Sequence, residues 1–227
     1  MSVCRFILAS LLVLLALPAW SAVDPHAHHR DPHANHRADA ADPHAHHRAQ
    51  ARAQGTAEAA AVTLEDEALV SRSGETVQFR SQVVADHIVA INFMYTTCTT
   101  VCPVTSALFA QLQNKLGTRL GDPVRLVSVS VDPVRDTPER LGDYAGKMSA
   151  GEHWQWLTGN KLNVDEVLKG LGAYTPDFRD HPAVVIIGDA RSNQWRRFYG
   201  FPSPDDMIEV IDGFIHARNM ESEHGAE

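Results

Sequence analysis

Three runs rich in β-branched residues, Ile88–Tyr95 (IVAINFMY), Val124–Val131 (VRLVSVSV) and Ala183–Ile187 (AVVII), alternate with segments whose apolar residues fall at helical spacing. Apolar runs of this length suit strands buried on both faces, which requires helices on each side of one sheet. Val104, Leu108, Leu112 and Leu116 recur every four residues behind Pro103, a residue tolerated at a helix start. Asp136-Thr137-Pro138-Glu139 offers a helix cap, with the helix running to about Lys147. Val164–Leu171 and Pro204–Ala217 supply further helices, Trp154–Leu157 a short strand and Trp195–Tyr199 an edge strand. Val62–Leu69 and Thr76–Phe79 flank Ser73-Gly74 as a hairpin. Residues 62–218 are therefore read as one α/β domain, followed by a tail over 219–227. Active groups are expected at the carboxyl ends of its strands.

Nothing before Val62 fits that pattern. Residues 1–22 carry one early charge, Arg5, then an apolar run from Phe6 to Leu17. This run is shorter than the roughly 20 residues a membrane-spanning helix needs. A charged start, a short apolar run and small residues describe an export signal, cleaved after Ser21 or Ala22. An uncleaved anchor is the competing reading. No cysteine ends the run, which argues against a lipid-anchored start. Cys4 goes with the signal, and the mature chain is expected in an oxidising space outside the cytosol, with no stable membrane span.

Eight of the 13 histidines then fall between His26 and His47. Asp24–Arg30 reads DPHAHHR, Asp31–Arg37 DPHANHR and Asp42–Arg48 DPHAHHR. Each copy has a proline and almost no apolar residue beyond alanine, so burial cannot repay the loss of chain entropy. Residues 23–61 are expected to be a disordered arm and linker. Its imidazoles His26, His28, His29, His33, His36, His44, His46 and His47 suit Cu(II), Zn(II) or Ni(II). A solvated spacer with no ligand role is the blander alternative. The formal net charge of −8 argues against a nucleic-acid partner, which calls for a basic face.

Once the signal is gone, Cys98 and Cys102 are the only cysteines. They form a C-x-x-x-C between the Ile88–Tyr95 strand and the helix near Pro103. Residues four apart on a first helical turn share a face, so the two sulfurs can converge on one ion or join as a disulfide. A helix amino end favours thiolate, which is both metal ligand and nucleophile. His181, directly before the AVVII strand, is the candidate third ligand; a solvated loop histidine is the alternative. In a parallel sheet, a loop beside that strand is expected to face the cysteine turn. Two thiolates and an imidazole suit Cu(I), and can also hold Cu(II).

Four stretches together resemble the SCO/SenC family of copper-binding, thioredoxin-like proteins. Asn92-Phe93-Met94-Tyr95-Thr96-Thr97-Cys98 leading into Val101-Cys102-Pro103 is similar to its strand and CxxxCP turn. Ser130-Val131-Asp132-Pro133 with Arg135-Asp136-Thr137-Pro138 resembles its SVDPxRDTP segment, and Trp156-Leu157-Thr158-Gly159 its short strand. Asp180-His181 before AVVIIGD resembles its ligand segment. The resemblance implies a thioredoxin-like fold with a central mixed sheet, and copper held by Cys98, Cys102 and His181. It also implies a periplasmic role in supplying copper to, or preparing the thiols of, cytochrome c oxidase subunit II. The chain departs from the family at Thr99-Thr100-Val101, where Pro-Asp is commoner between the cysteines, so an acidic neighbour is missing locally.

Three functions follow from these residues. The first is an exported copper chaperone. The second is a thiol–disulfide oxidoreductase in which Cys98 attacks and Cys102 resolves, served by a thiol reductant. The third is a metal buffer working through the arm. Met94, Trp154 and Trp156 are read as core residues, and Asp132 and Asp136 as turn and cap residues. His87, His153, His216 and His224 are read as surface residues.

Overall fold

The computed structural model describes residues 56–224; the signal, the repeats and most of the linker lie outside the described residues. Eight strands form one sheet: β1 Glu58–Ala59, β2 Ala68–Ser71, β3 Thr76–Gln78, β4 Ile88–Met94, β5 Val124–Ser130, β6 Trp154–Thr158, β7 Val184–Asp189 and β8 Gln194–Tyr199. Four helices accompany them: α1 Val101–Leu116, α2 Pro138–Lys147, α3 Lys161–Gly170 and α4 Pro204–His224. The strand order is β1-β8-β7-β4-β5-β6-β2-β3. β4, β5 and β6 pair in parallel, and all other pairings are antiparallel, so the sheet is mixed.

All seven residues of β4 are buried, and they alternate between two cores. Ile88 and Ala90 face the side covered by Phe109 and Leu112 of α1, Tyr144 of α2 and Ile211 of α4. Val89, Ile91 and Phe93 face the side covered by Val164 and Val167 of α3 and the short turn Phe79–Val84. This alternation follows from the two-residue period of a strand. Met94, Trp154 and Trp156 sit in the first core, with the two indoles 4.8 Å apart.

Several boundaries differ from the sequence pattern. β1 lies within the segment read as linker, and it covers β8, which is therefore not an edge strand. Two backbone pairs suffice for this, and so short a pairing leaves no apolar period to read. α4 runs through residues expected to be tail, as far as His224. It is held to the sheet by Arg218, whose guanidinium meets the carboxylate of Asp189 at 2.5 Å, with both side chains largely buried. His87 is half-buried rather than a surface residue, with Nδ1 3.3 Å from the carbonyl oxygen of Val84. No described helix is long and apolar enough to cross a membrane.

Candidate metal centre

Three loops meet at one end of the sheet. β4 leads into the cysteine turn, and β5 leads into Val131–Thr137. The third loop runs through the short turn Phe178–Asp180 and His181 into β7. The third meets the first because β7 runs antiparallel to β4, with Asn92 opposite Val185. The start of β7 therefore lies beside the carboxyl end of β4. A parallel pairing would have put His181 at the far end of the sheet, so the parallel arrangement expected from the pattern is corrected here. Strand direction is a tertiary choice that the period of a single run does not encode.

Cys98 closes a turn in which its N–H donates to the Tyr95 carbonyl at 3.1 Å. Thr100, which precedes α1, gives the helix no side-chain cap. The Cys98 sulfur takes that place: the N–H of Cys102 donates to it at 3.4 Å. First-turn N–H groups lack partners within the helix and carry its positive end. Both cysteines are free thiols here and buried, 6 % and 4 % exposed.

Burial would push the Cys98 thiol up, but hydrogen bonds from the Cys102 thiol, the Thr100 and Cys102 backbone and the Tyr95 hydroxyl outweigh it and hold Cys98 below the usual thiol range. Cys102 is pushed up to about 12, first by burial and then by donating to Cys98. Tyr95 also rises to about 12, from burial and then its bond to Cys98. Its ring meets Phe178 edge-on at 5.0 Å, and the Arg135 guanidinium lies 5.3 Å over that same Phe178 ring. The cysteine turn and the His181 loop are thereby packed together through side chains from all three loops.

His181 stacks obliquely on Phe93, with ring centroids 5.2 Å apart. Its Nε2 is buried and has no hydrogen-bond partner. Burial lowers its pKa, against weaker opposing bonds that the ring makes to the Ala173 and Pro182 backbone, so the ring favours the neutral, metal-ligating form. His181, Cys102, Tyr95 and Met94 share the lining of a cavity of about 10 Å³, room for roughly one water or one ion. Cys98 does not line this cavity and meets it only through its contact with Cys102. Among the described residues, no three His, Cys, Asp or Glu side chains stand together as a ready ligand set. The loops bring the three predicted residues to one place without closing them around a point. The eight arm histidines lie outside the described residues.

An acidic neighbour missing from the cysteine turn arrives from the second stretch of the pattern. Asp136, 1 % exposed, accepts from the Thr96 N–H at 3.1 Å, the Thr96 hydroxyl at 2.5 Å and the Ser130 hydroxyl at 2.6 Å. It does not cap α2; Thr137 does, accepting from the Arg140 N–H at 3.3 Å. Asp136 instead fastens the cysteine turn to the end of β5. Forty residues separate the partners, and no local signal distinguishes this aspartate from a cap. Asp132 does hold a turn, accepting from Arg135 at 3.0 Å.

A family profile described as SCO1/SenC matches residues 56–216. The SCO1 protein homolog of Bacillus subtilis is 39% identical over 69 residues, a stretch covering 30% of this chain and 35% of that protein. The matched stretch thus spans about a third of that relative's length. Among solved structures, Bradyrhizobium japonicum ScoI with copper bound superposes with a TM-score of 0.55 at 24% identity, over 66% of this chain and 98% of that one. BsSco, described as a member of the Sco family of cytochrome c oxidase assembly proteins with a disulfide switch, gives a TM-score of 0.58 at 23% identity, over 70% and 96%. These likenesses show a shared fold, and the profile covers most of the sequence, including all three converging loops. The chain belongs to the SCO1/SenC family.

Proposed function

We propose that this chain is an exported, periplasmic copper chaperone that holds one copper ion through Cys98, Cys102 and His181. It would pass the ion to a copper-accepting protein such as cytochrome c oxidase subunit II, or prepare that protein's thiols. The observation that carries the reading is the buried, partnerless Nε2 of His181 on the same cavity as Cys102. A buried ring nitrogen without a partner costs stability unless something binds it. Two sulfurs and one imidazole form a soft set that suits Cu(I). Loading releases the thiol protons, so affinity rises with pH. Oxidation to a disulfide removes two ligands at once and couples copper loading to redox state.

The test is an anaerobic Cu(I) titration against a chromophoric chelator, in a reduced chain whose eight arm histidines are replaced by alanine. One ion per chain is expected, with Cys98→Ser or Cys102→Ser abolishing binding. His181→Ala should weaken it at least ten-fold, and an unchanged affinity in that variant removes His181 from the ligand set.

A second reading draws support from the unequal thiols. Cys98 attacks a client disulfide, one client thiolate leaves, and Cys102 then displaces the second. The client gains two electrons and Cys98 and Cys102 end as a disulfide that a thiol reductant must reopen. Turnover with a disulfide substrate that survives His181→Ala favours this reading over the first.

A further inference from the structure

β4 ends on a methionine directly before the cysteine turn. Met94 is the last residue of β4 and stands opposite Ser130, the last residue of β5. Its carbonyl accepts from the Val131 N–H at 2.9 Å, which ties the end of β4 to the loop that follows β5. The two-residue period of the strand turns its side chain to the face that Ile88 and Ala90 share with α1. Cys98 and Cys102 pack in that same core, and Met94 is at least as deeply buried as they are, at 1 % exposed.

The cavity beside His181 sorts the possible donors. At about 10 Å³ it has room for a single ion. The lining residues with a heteroatom in the side chain are Met94, Tyr95, Cys102, Thr105 and His181. The Thr105 hydroxyl is committed to the Val101 carbonyl at 3.2 Å. A phenol becomes a good copper donor only on ionising, which takes alkaline pH. What remains is one thiol, one thioether and the imidazole whose Nε2 has no partner. Thiolate and thioether are the soft donors that select Cu(I), and imidazole also suits copper. The other described methionines, Met148, Met207 and Met220, do not line this cavity.

We infer that Met94 is a further copper ligand, its thioether sulfur binding the ion beside Cys102 and His181. This rests on the copper reading of that site and adds a donor to it. The thioether is neutral, so no proton leaves Met94 as copper arrives, and no electron moves. Its sulfur is polarisable and favours Cu(I) over harder ions. Cys98 does not line the cavity. It is therefore the ligand placed to leave first towards a copper-accepting partner, while Cys102, His181 and Met94 keep the ion.

The experiment uses the reduced chain with its eight arm histidines replaced by alanine, produced with selenomethionine and loaded with one equivalent of Cu(I). X-ray absorption at the copper edge should find one selenium in the first shell of the ion, and Met94→Leu should remove it. Leucine nearly conserves the side-chain volume, so the core stays packed. In a chelator titration, Met94→Leu should weaken Cu(I) binding about five-fold or more. Zn(II), which takes thiolate, imidazole and carboxylate donors, should bind the two chains with affinities within about two-fold of each other. A first shell without selenium overturns the inference and leaves the Cys98, Cys102 and His181 site intact, as does a Cu(I) affinity that Met94→Leu does not change. Selenium that persists in Met94→Leu assigns the contact to another methionine and also overturns it. Equal weakening of Cu(I) and Zn(II) reveals a packing effect and does the same. A chain that takes up no Cu(I) overturns the copper reading and, with it, the role of Met94.

Discussion

The N–H of Cys102 donates to the sulfur of Cys98 at 3.4 Å, and around that contact the two thiols acquire opposite chemistry. Cys98 receives hydrogen bonds from the start of α1 and from Tyr95, whereas Cys102 lies deeper and gives its proton to Cys98. A pair so arranged presents one sulfur ready to react and one held in reserve.

Alkylation should therefore be ordered. Iodoacetamide at neutral pH is expected to modify Cys98 first, with a half-rate pH below the ordinary thiol range. Cys102 should resist modification far into the alkaline range. Peptide mass mapping against time reads the order; simultaneous labelling, or Cys102 first, contradicts the hydrogen-bond arrangement.

His181 should titrate below the ordinary 6.5, because burial disfavours its charged form. The sign follows from the folded state preferring the neutral ring. Stability contributed at this position is present above 6.5 and is lost as pH falls through that value and on to the folded pKa. Ring-proton NMR across pH 5 to 8 should show two resonances still neutral where exposed histidines are half-charged, from His181 and the half-buried His87, and His181→Ala should remove one of them.

Asp136 joins two loops, and its loss should loosen the cysteine turn. Asp136→Ala leaves the buried Ser130 hydroxyl and the partly buried Thr96 donors without an acceptor, at a cost of about 1–3 kcal/mol. Burial raises its carboxyl, against bonds from Ser130 and Thr96 that lower it. Stability from this group is thus full below 3.8 and is lost as pH rises through the folded pKa. Denaturant unfolding at stepped pH should show that slope in the wild type and a flatter one in Asp136→Asn.

The Asp189–Arg218 pair lies across the β7–α4 junction, 2 % and 10 % exposed. Removing the cation strands a buried carboxylate, which costs about 3–5 kcal/mol. Arg218→Met should lower the unfolding midpoint accordingly, and a midpoint unchanged within error would contradict the pairing. Burial raises Asp189, but the bonds from Arg218 outweigh it and the net shift is downward. Its stabilisation is therefore present above 3.8 and lost as pH falls through the lowered value.

Much of the fold was legible because it is written in local periods. Ile88–Met94 and Val124–Ser130 read as buried strands since their side chains alternate between two cores, and α1 was visible in its four-residue spacing. The cysteines were found because they stand between a strand and a helix. β1 leaves no trace in the sequence because two residues make no pattern, and α4 runs past its expected end because Arg218, a polar residue, ties it to β7.

The sequence by itself determined the donor atoms: two sulfurs four residues apart, one histidine before a strand, and an arm dense in imidazole. Only the tertiary structure decided that the two sulfurs and that one histidine come together. The antiparallel pairing of β7 with β4 carries His181 to the cysteine turn, and Asp136 reaches across 40 residues to hold that turn. The physical reason is that side-chain type and spacing act over a few residues. Strand direction and register are set by the packing of the whole sheet.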